Sequence, residues 1–233
     1  MKIALLGYGK MGKTIEKLAS EKGHTIVLKT NTCPSSEEIK SADIAIEFST
    51  PEAAVNNIKV CLENNIPIVS GTTGWLNHYP EMVKLCENRN GSFIYASNFS
   101  VGVNLFFSIN EYVSNLLKPW KDYHVSMEEI HHIEKKDAPS GTAITLAEGI
   151  IKNSDKIDWK LENASEDEIE ITAHRLNDVK GTHIINYKSE VDTISIKHEA
   201  HSRKGFALGA ILAAEWLLNK KGVFTMKDVL KIK

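Results

Sequence analysis

The segment that most constrains the fold is a glycine-rich turn near the start of the chain. Lys2–Leu6 is a continuous apolar run, which is typical of a strand buried on both faces. The sequence G-Y-G-K-M-G, Gly7–Gly12, follows at once, and Thr14–Glu21 has apolar residues at helical spacing. A second strand is predicted over Thr25–Leu28. We therefore predict a strand–turn–helix–strand unit, the context in which G-x-G-x-x-G binds a dinucleotide.

The glycine-rich turn is a candidate nucleotide site. Its glycines permit a tight turn and let the backbone approach a pyrophosphate at the start of the following helix. A plain turn is the alternative interpretation, but the flanking strands and helix favour nucleotide binding. The cofactor contacts predicted in this turn are Gly7, Tyr8, Gly9, Lys10, Met11 and Gly12.

The end of the second predicted strand lacks the acid that usually holds the adenosine ribose of NAD. Lys29, Thr30 and Asn31 stand there, and the next acidic residues are Glu37 and Glu38. A cation and hydrogen-bonding side chains suit a 2′-phosphate better than a bare ribose, so Lys29 favours NADPH. The alternative is that Lys29 is a solvated charge at a strand end.

Strands and helices continue to alternate up to about residue 100. Strands are predicted over 43–48, 66–70 and 92–96, with helices over 51–63 and 79–88. This alternation predicts an α/β fold with a Rossmann-like, doubly wound parallel sheet, which binds ligands at the carboxyl ends of its strands. Small and hydroxyl-bearing residues follow two of these strands, so further cofactor contacts are predicted at Gly71, Thr72, Thr73, Ser97, Asn98, Phe99 and Ser100.

The character of the chain changes near residue 103, where the strict alternation ends. A helix is predicted over Leu105–Leu117 and a polar loop over Asn153–Asp167. Three strand-like runs follow the loop, at 168–174, 182–189 and 193–199. These features predict an inserted α+β substrate domain with an open mixed, mostly antiparallel sheet.

The predicted domain boundaries follow from the last apolar helix. Gly205–Leu218 is rich in alanine and glycine, which permit close packing, and we expect it to return to the first domain. The dinucleotide-binding domain is therefore predicted over 1–103, completed by 203–233, with the substrate domain over 104–202.

The segment from Glu128 to Ala143 holds most of the residues with catalytic chemistry. Its sequence, E-E-I-H-H-I-E-K-K-D-A-P-S-G-T-A, lies between a strand predicted over Tyr123–Ile130 and a helix predicted over Ala143–Ile151. Of its side chains, His131 or His132 can move a proton near neutral pH. The alternative is that the two histidines are a loop pair satisfied by local hydrogen bonds.

The end of the same segment predicts an anion site. Ser140 is a candidate N-cap, with Gly141 and Thr142 in the first turn of the helix. Their free backbone N–H groups and the positive helix end suit a carboxylate or phosphate. Lys135 or Lys136 adds a charge-assisted hydrogen bond to the same anion.

A metal site is a further alternative, because His131 and Glu134 are three residues apart. Adjacent histidines point in different directions, however, and neither an H-E-x-x-H motif nor an obvious third ligand accompanies them. We therefore predict no metal.

The net charge, the lengths of the apolar runs and the cysteine count exclude several classes of partner. A net charge of -2 over 233 residues gives no overall attraction for nucleic acid or anionic lipid. The first apolar run is too short for a signal peptide, and no later run is long enough to span a membrane. The three cysteines are scattered without C-x-x-C, which fits a reduced compartment. We expect a cytoplasmic protein with no nucleic-acid or membrane partner.

The motif H-H-I-E-K-K-D-A-P-S-G-T-A closely resembles the signature of the 4-hydroxy-tetrahydrodipicolinate reductases (dihydrodipicolinate reductases) of the diaminopimelate–lysine pathway. G-Y-G-K-M-G, G-T-T-G, S-N-F-S-V-G-V-N and H-E-A-H-S-R-K-G-F-A-L-G-A also match, so the resemblance covers nearly the whole chain. It implies reduction of a cyclic dicarboxylic, imine-type substrate to tetrahydrodipicolinate with NADH or NADPH. It also implies a homotetramer built through the sheet of the second domain.

The resemblance implies roles for individual residues. His131 matches the family's proton donor, and His132 and Lys135 match its substrate-contacting pair, with Lys135 also assigned to catalysis. Gly141 and Thr142 match its carboxylate-binding turn. Two alternatives stay open at this point. Another Rossmann-type reductase would not explain the P-S-G-T turn, and a non-catalytic nucleotide-sensing module would leave the His–Lys cluster without a role.

Overall fold

The structure is a computed structural model that describes residues 1–202 and 204–232. Its backbone contacts divide the chain into two units, one of Met1–Val101 with Lys204–Lys233 and one of Gly102–Arg203. No described helix combines the length and the apolar character that crossing a lipid bilayer requires.

The first unit is built on a six-stranded parallel sheet. Its strands, in chain order, are β1 (Lys2–Leu6), β2 (Thr25–Thr30), β3 (Ile44–Glu47), β4 (Ile68–Ser70), β5 (Ser92–Tyr95) and β11 (Gly222–Phe224), and they lie in the order β11-β5-β4-β3-β1-β2. β1 pairs with both β2 and β3, so the direction of strand succession reverses beside β1. Ligands bind at such a switch point in open α/β sheets.

Helices cover both faces of this sheet, as the predicted doubly wound fold requires. They are α1 (Lys10–Glu21), α2 (Ser36–Ile39), α3 (Pro51–Glu63), α4 (Tyr79–Asn88), α7 (Lys204–Leu217) and α8 (Met226–Leu230). Alternate residues of β1 enter two separate cores: Ile3 and Leu5 pack with α1 and α7, whereas Ala4 and Leu6 pack with α3. The apolar helix expected to return to the first domain is α7, and its buried alanines pack in the same core as β1 and α1.

The second unit contains a five-stranded mixed sheet. Its strands are β6 (His124–His131), β7 (Asp158–Leu161), β8 (Glu168–Arg175), β9 (Thr182–Lys188) and β10 (Thr193–Glu199), in the order β10-β9-β6-β8-β7. β9 is antiparallel to β6 and β10, and the other two pairings are parallel. The mixed sheet was predicted, although antiparallel pairing has a smaller share than we expected. Two helices pack on it, α5 (Val101–Leu117) and α6 (Gly141–Asn153).

The predicted elements differ from the observed ones mainly where short elements depend on tertiary pairing. The polar loop predicted over Asn153–Asp167 contains β7, an edge strand with partly exposed side chains. We also missed β11 and α8, which are three and five residues long. Such short segments carry too little periodicity to be recognised, and β11 forms by pairing with the distant β5.

Gly209 in α7 is required by a close backbone approach. A Cβ atom at this position would lie 1.7 Å from the carbonyl oxygen of Phe99, so the helix could not keep its place. We expect Gly209→Ala to lower the free energy of unfolding by about 1–3 kcal/mol, the usual cost of overpacking.

Gly205 of the same helix is the matched control for this substitution. Its Cβ would meet nothing closer than Ser100 Oγ at 3.4 Å, so Gly205→Ala is expected to be neutral or slightly stabilising. Chemical denaturation followed by circular dichroism measures both variants. Equal stability of the two variants would contradict the packing described for α7.

Candidate active site

The glycine-rich turn has the geometry of a nucleotide-binding cradle. Gly7 follows β1 with a φ of 98°, and a Cβ there would lie 2.0 Å from the carbonyl oxygen of Phe48. A Cβ at Gly12 would lie 2.3 Å from the carbonyl oxygen of Gly7, whereas one at Gly9 would meet nothing within 4 Å. Gly7 and Gly12 therefore close the turn, and Gly9 leaves open space at the start of α1. These residues fit a pyrophosphate held by backbone N–H groups.

A buried carboxylate organises the loops after β3 and β4. Glu47, the last residue of β3, is fully buried. Ser70 Oγ donates to it at 2.6 Å, Thr72 Oγ1 at 2.7 Å and Ser49 N–H at 2.9 Å. Gly71 is fixed from another side, since a Cβ there would lie 2.2 Å from the ring of Phe48. Glu47 thus holds the loop Gly71–Gly74 at the carboxyl edge of the sheet.

The predicted cofactor contacts in these loops differ in accessibility. Thr73 and Ser97 are exposed, and Ser100 is half-buried. Thr72 and Asn98 are buried, with the hydroxyl of Thr72 bound to Glu47 and the Asn98 side chain accepting from Ser100 N–H at 2.9 Å. Phe99 is 1% exposed and lies in the hydrophobic core, so its backbone is the part left to face a ligand.

Lys29 has an acidic partner that the sequence did not suggest. Its Nζ lies 2.9 Å from Glu16 Oε1, and it also lies over the ring of Tyr8 at 5.2 Å from the centroid. The hydroxyl of Tyr8 donates to the same carboxylate. Hydrogen bonds from Tyr8 and then Lys29 lower the pKa of Glu16, so the carboxylate is ionised at neutral pH. The positive charge of Lys29 is therefore partly neutralised by α1.

In the second unit, the segment from the end of β6 to the start of α6 carries the predicted catalytic and substrate-binding residues. His131 is the last residue of β6 and is buried, whereas His132 after it is half-buried. Side chains alternate along β6, so Val125, Met127 and Glu129 share the buried face with His131. A surface cleft of about 540 Å³ opens beside His132.

Ser140 is the N-cap of α6, as predicted. Its Oγ accepts from Ala143 N–H at 3.2 Å, and α6 begins at Gly141. Ser140 is itself buried and its own N–H donates to both oxygens of Glu129, at 3.1 and 3.0 Å. Gly141 is exposed, and a Cβ there would meet nothing within 4 Å. The first turn of α6 thus presents Gly141 and Thr142 to a ligand, while Ser140 faces inward.

Arg175 at the end of β8 ties this segment to the sheet. Its guanidinium donates to Glu129 at 3.0 Å and to the carbonyl oxygen of Asp137 at 2.6 Å, and its Nε donates to that of Lys135 at 3.3 Å. Lys135 Nζ in turn pairs with the Asp137 carboxylate at 2.7 Å. In this structure Lys135 is therefore held by a neighbouring carboxylate within the same loop.

Three residues of the cluster escaped the sequence analysis: Glu129, Arg175 and His183. The alternation along β6 is the one signal that pointed to Glu129. Arg175 and His183 lie at the ends of β8 and β9, and strand pairing brings them beside His131 and Glu129 respectively. That register is not visible in a single sequence.

The electrostatics of the cluster are dominated by burial and by Glu129. Burial lowers the pKa of His131; the Glu129 carboxylate opposes this, and Lys135 and Arg175 add to it. Burial acts to raise the pKa of Glu129, but hydrogen bonds from Ser140 and Arg175 bring it below its usual range. His183 is neutral, because burial lowers its pKa to about 3.

A possible metal site consists of Glu129, His131 and His183. Each offers one ligand atom, and these atoms lie within 4.8 Å of one another, which meets the distance requirement of a metal site. This set differs from the pair His131 and Glu134 that the spacing suggested. Arg175 donates to the same carboxylate, so a bound cation would face a guanidinium, and repulsion disfavours it. That the enzyme needs no metal stays a prediction.

A glycine-rich first turn at the switch point of a doubly wound sheet is typical of nucleotide-dependent enzymes, and the second unit adds a buried imidazole beside a helix start. Residues 1–99 match the family model described as "Dihydrodipicolinate reductase, N-terminus", and residues 102–230 match the one described as "Dihydrodipicolinate reductase, C-terminus".

Curated relatives and solved structures agree with this match. The chain is 50% identical over 233 residues to the 4-hydroxy-tetrahydrodipicolinate reductase of Christiangramia forsetii, covering 99% of this chain and 98% of that protein. It is 36% identical over 235 residues to that of Thermosipho africanus, with the same coverage. A dipicolinate-bound dihydrodipicolinate reductase from Paenisporosarcina sp. TG-14 has the same fold, with a TM-score of 0.77 at 23% identity over 97% of each chain.

The chain belongs to the 4-hydroxy-tetrahydrodipicolinate reductase family. It is an NAD(P)H-dependent oxidoreductase of the diaminopimelate–lysine pathway that reduces 4-hydroxy-tetrahydrodipicolinate to tetrahydrodipicolinate. The predicted family, fold class and reaction are confirmed. The two alternatives, an unrelated Rossmann-type reductase and a nucleotide-sensing module, are set aside.

Proposed function

We propose that the two units divide the reaction, with the first binding the nicotinamide nucleotide and the second binding the substrate and supplying the proton. The observation that carries this proposal is that one buried carboxylate, Glu129, accepts a hydrogen bond from the start of α6 and lies 3.5 Å from His131 Nδ1. The proposed domains are 1–103 with 203–233 for the nucleotide and 104–202 for substrate binding and oligomerisation.

The turn Gly7–Gly12 and the loops Gly71–Gly74 and Ser97–Ser100 would hold the nucleotide. The close approaches at Gly7 and Gly12 leave backbone at the start of α1 for the pyrophosphate. When bound, the reduced nicotinamide supplies the hydride. The protein's task in this unit is to orient that group.

The start of α6 would bind a substrate carboxylate. The N–H groups of the first turn of a helix have no intrahelical acceptor, and those of Gly141 and Thr142 lie on the accessible side. The Paenisporosarcina reductase is described as dipicolinate-bound, and dipicolinate is a planar dicarboxylate. We infer that Lys135 exchanges Asp137 for a substrate carboxylate and that His132 contacts the same ligand.

His131 would deliver the proton that must accompany the hydride. Histidine is the cluster member that ordinarily titrates near neutral pH, and neutral His183 has no proton to donate through an imidazolium. A bound dicarboxylate brings negative charge to the buried imidazole and raises its pKa. His131 is thus charged most readily when the substrate is present.

We also propose a cytoplasmic homotetramer. The second unit supports it, because the face of its sheet turned away from α6 carries the partly exposed apolar residues Ile130 and Ile184. A second copy of the chain would cover such a face.

The ion pair between Lys29 and Glu16 predicts how nucleotide preference can be changed. A 2′-phosphate must compete with Glu16 for Lys29, and we expect wild type to use NADPH at least as well as NADH. Glu16→Gln should raise the ratio of kcat/KM for NADPH to that for NADH by about two- to fivefold, the scale of an exposed ion pair. Lys29→Ala should lower the ratio. Steady-state kinetics with both nucleotides measures it, and a shift of both variants in the same direction would rule out this competition.

The role of His131 is tested with a coupled assay that generates the substrate from pyruvate and aspartate semialdehyde and follows nicotinamide absorbance. His131→Gln should lower kcat by roughly 10²-fold or more, the usual scale of general acid catalysis, with nucleotide affinity unchanged. Wild-type kcat/KM should fall as pH rises through the lowered pKa of His131, and the variant should lose this limb.

The exposed His78, which precedes α4 in the first unit, provides the control for this test, and His78→Gln should behave as wild type. His132→Gln is expected to act partly through substrate affinity. A folded His131→Gln enzyme that binds nucleotide and turns over at the wild-type rate would mean that another group or water supplies the proton.

A further inference from the structure

Glu129 is the acceptor at the centre of the buried cluster in the second unit. It is fully buried, and its two oxygens accept from Ser140 N–H and from the guanidinium of Arg175. Its carboxylate also lies 3.5 Å from His131 Nδ1 and 3.8 Å from His183 Nε2. A buried carboxylate needs such donors, so a purely structural role would already explain Ser140 and Arg175. The position of His131 goes beyond that role.

Charged or titratable groups from four parts of the unit face the His131 imidazole. Glu129 comes from its own strand, and Arg175 and His183 come from the neighbouring strands β8 and β9. Lys135 and Asp137, which pair with each other, come from the loop that follows β6. The two cations disfavour an imidazolium, and Asp137 is already bound to Lys135. Of these groups Glu129 favours a protonated His131 most strongly, with its carboxylate 3.5 Å from Nδ1.

The orientation of the imidazole assigns different tasks to its two nitrogens. Nδ1 is buried and faces Glu129 without a hydrogen-bond partner among the described residues. At 3.5 Å the pair is longer than a good hydrogen bond, and catalytic contacts of this kind often tighten when the substrate binds. Protonated Nδ1 can donate to Glu129, which leaves Nε2 to carry the transferable proton.

The same carboxylate fixes the start of α6. Ser140 caps the helix through its Oγ, and its N–H is held by Glu129. His183 supports this cap, with Nε2 at 3.2 Å from Ser140 Oγ. A displacement of Glu129 would therefore move the N–H groups of Gly141 and Thr142 together with the imidazole.

We propose that Glu129 is a positioning residue that orients His131 through Nδ1 and sets its distance from the carboxylate-binding start of α6. This proposal rests on the proposed function of His131 as the proton donor. One side chain then aligns the two groups that act on opposite parts of the substrate, its ring and its carboxylate.

Glu129→Gln tests the proposal, because it keeps the size and an acceptor oxygen but removes the charge. We expect kcat at pH 7.5 to fall about 10- to 100-fold, with a smaller change in KM. The protonation constant of His131 should fall about tenfold or more, so the high-pH limb of kcat/KM moves to lower pH. The titration is followed by NMR of histidines labelled at Cε1, with the His131 signal assigned by its loss in His131→Gln. Glu148→Gln, on the exposed face of α6, is the matched control and should leave both quantities unchanged.

Glu129→Asp covers the case in which the glutamine variant does not fold. It keeps the charge but withdraws the carboxylate by one methylene, so His131 should titrate nearer to its wild-type value while kcat still falls. An unchanged His131 titration in Glu129→Gln, or wild-type kcat in Glu129→Asp, would overturn the proposal. A different result would show that the proposed role of His131 as proton donor is wrong. In that case the His131 titration would respond to Glu129→Gln, but the His131→Gln enzyme would keep its turnover.

Discussion

A buried carboxylate must be surrounded by hydrogen-bond donors, and both units of this enzyme are organised by that requirement. In the first unit Glu47 ends β3 and gathers donors from Ser49, Ser70 and Thr72. In the second unit Glu129 gathers donors from Ser140 and Arg175. Glu47 is the last residue of β3 and Glu129 lies two residues before the end of β6, so the contacts that offset the cost of burying each carboxylate also fix the chain beyond the strand.

The two carboxylates differ in the groups that surround them. Around Glu47 the donors are uncharged hydroxyl and amide groups, which suits a loop that only has to hold a nucleotide in place. Around Glu129 the partners include a guanidinium and two imidazoles, so the protonation of one group depends on the others. Proton transfer near neutral pH needs such coupling, because an isolated buried histidine loses its proton too readily.

Sequence patterns predicted those parts of the enzyme that depend on local spacing. The glycine-rich turn, the N-cap at Ser140 and the pair His131–His132 all follow from residues close together in the chain. Glu16 was missed because it meets Lys29 only when α1 packs beside β2, and Arg175 was missed because parallel pairing of β6 with β8 places it opposite His131. Such long-range register depends on the whole sheet and leaves no mark on a short stretch of sequence.

The proposed reaction requires that the start of α6 and His131 act on one bound substrate. A crystal structure of the enzyme with pyridine-2,6-dicarboxylate tests it most directly. We predict one carboxylate within about 3 Å of the N–H groups of Gly141 and Thr142, with Lys135 turned from Asp137 to the ligand and the pyridine ring beside His131. A dicarboxylate bound in the first unit, or one that leaves the start of α6 uncontacted, would contradict a shared substrate site.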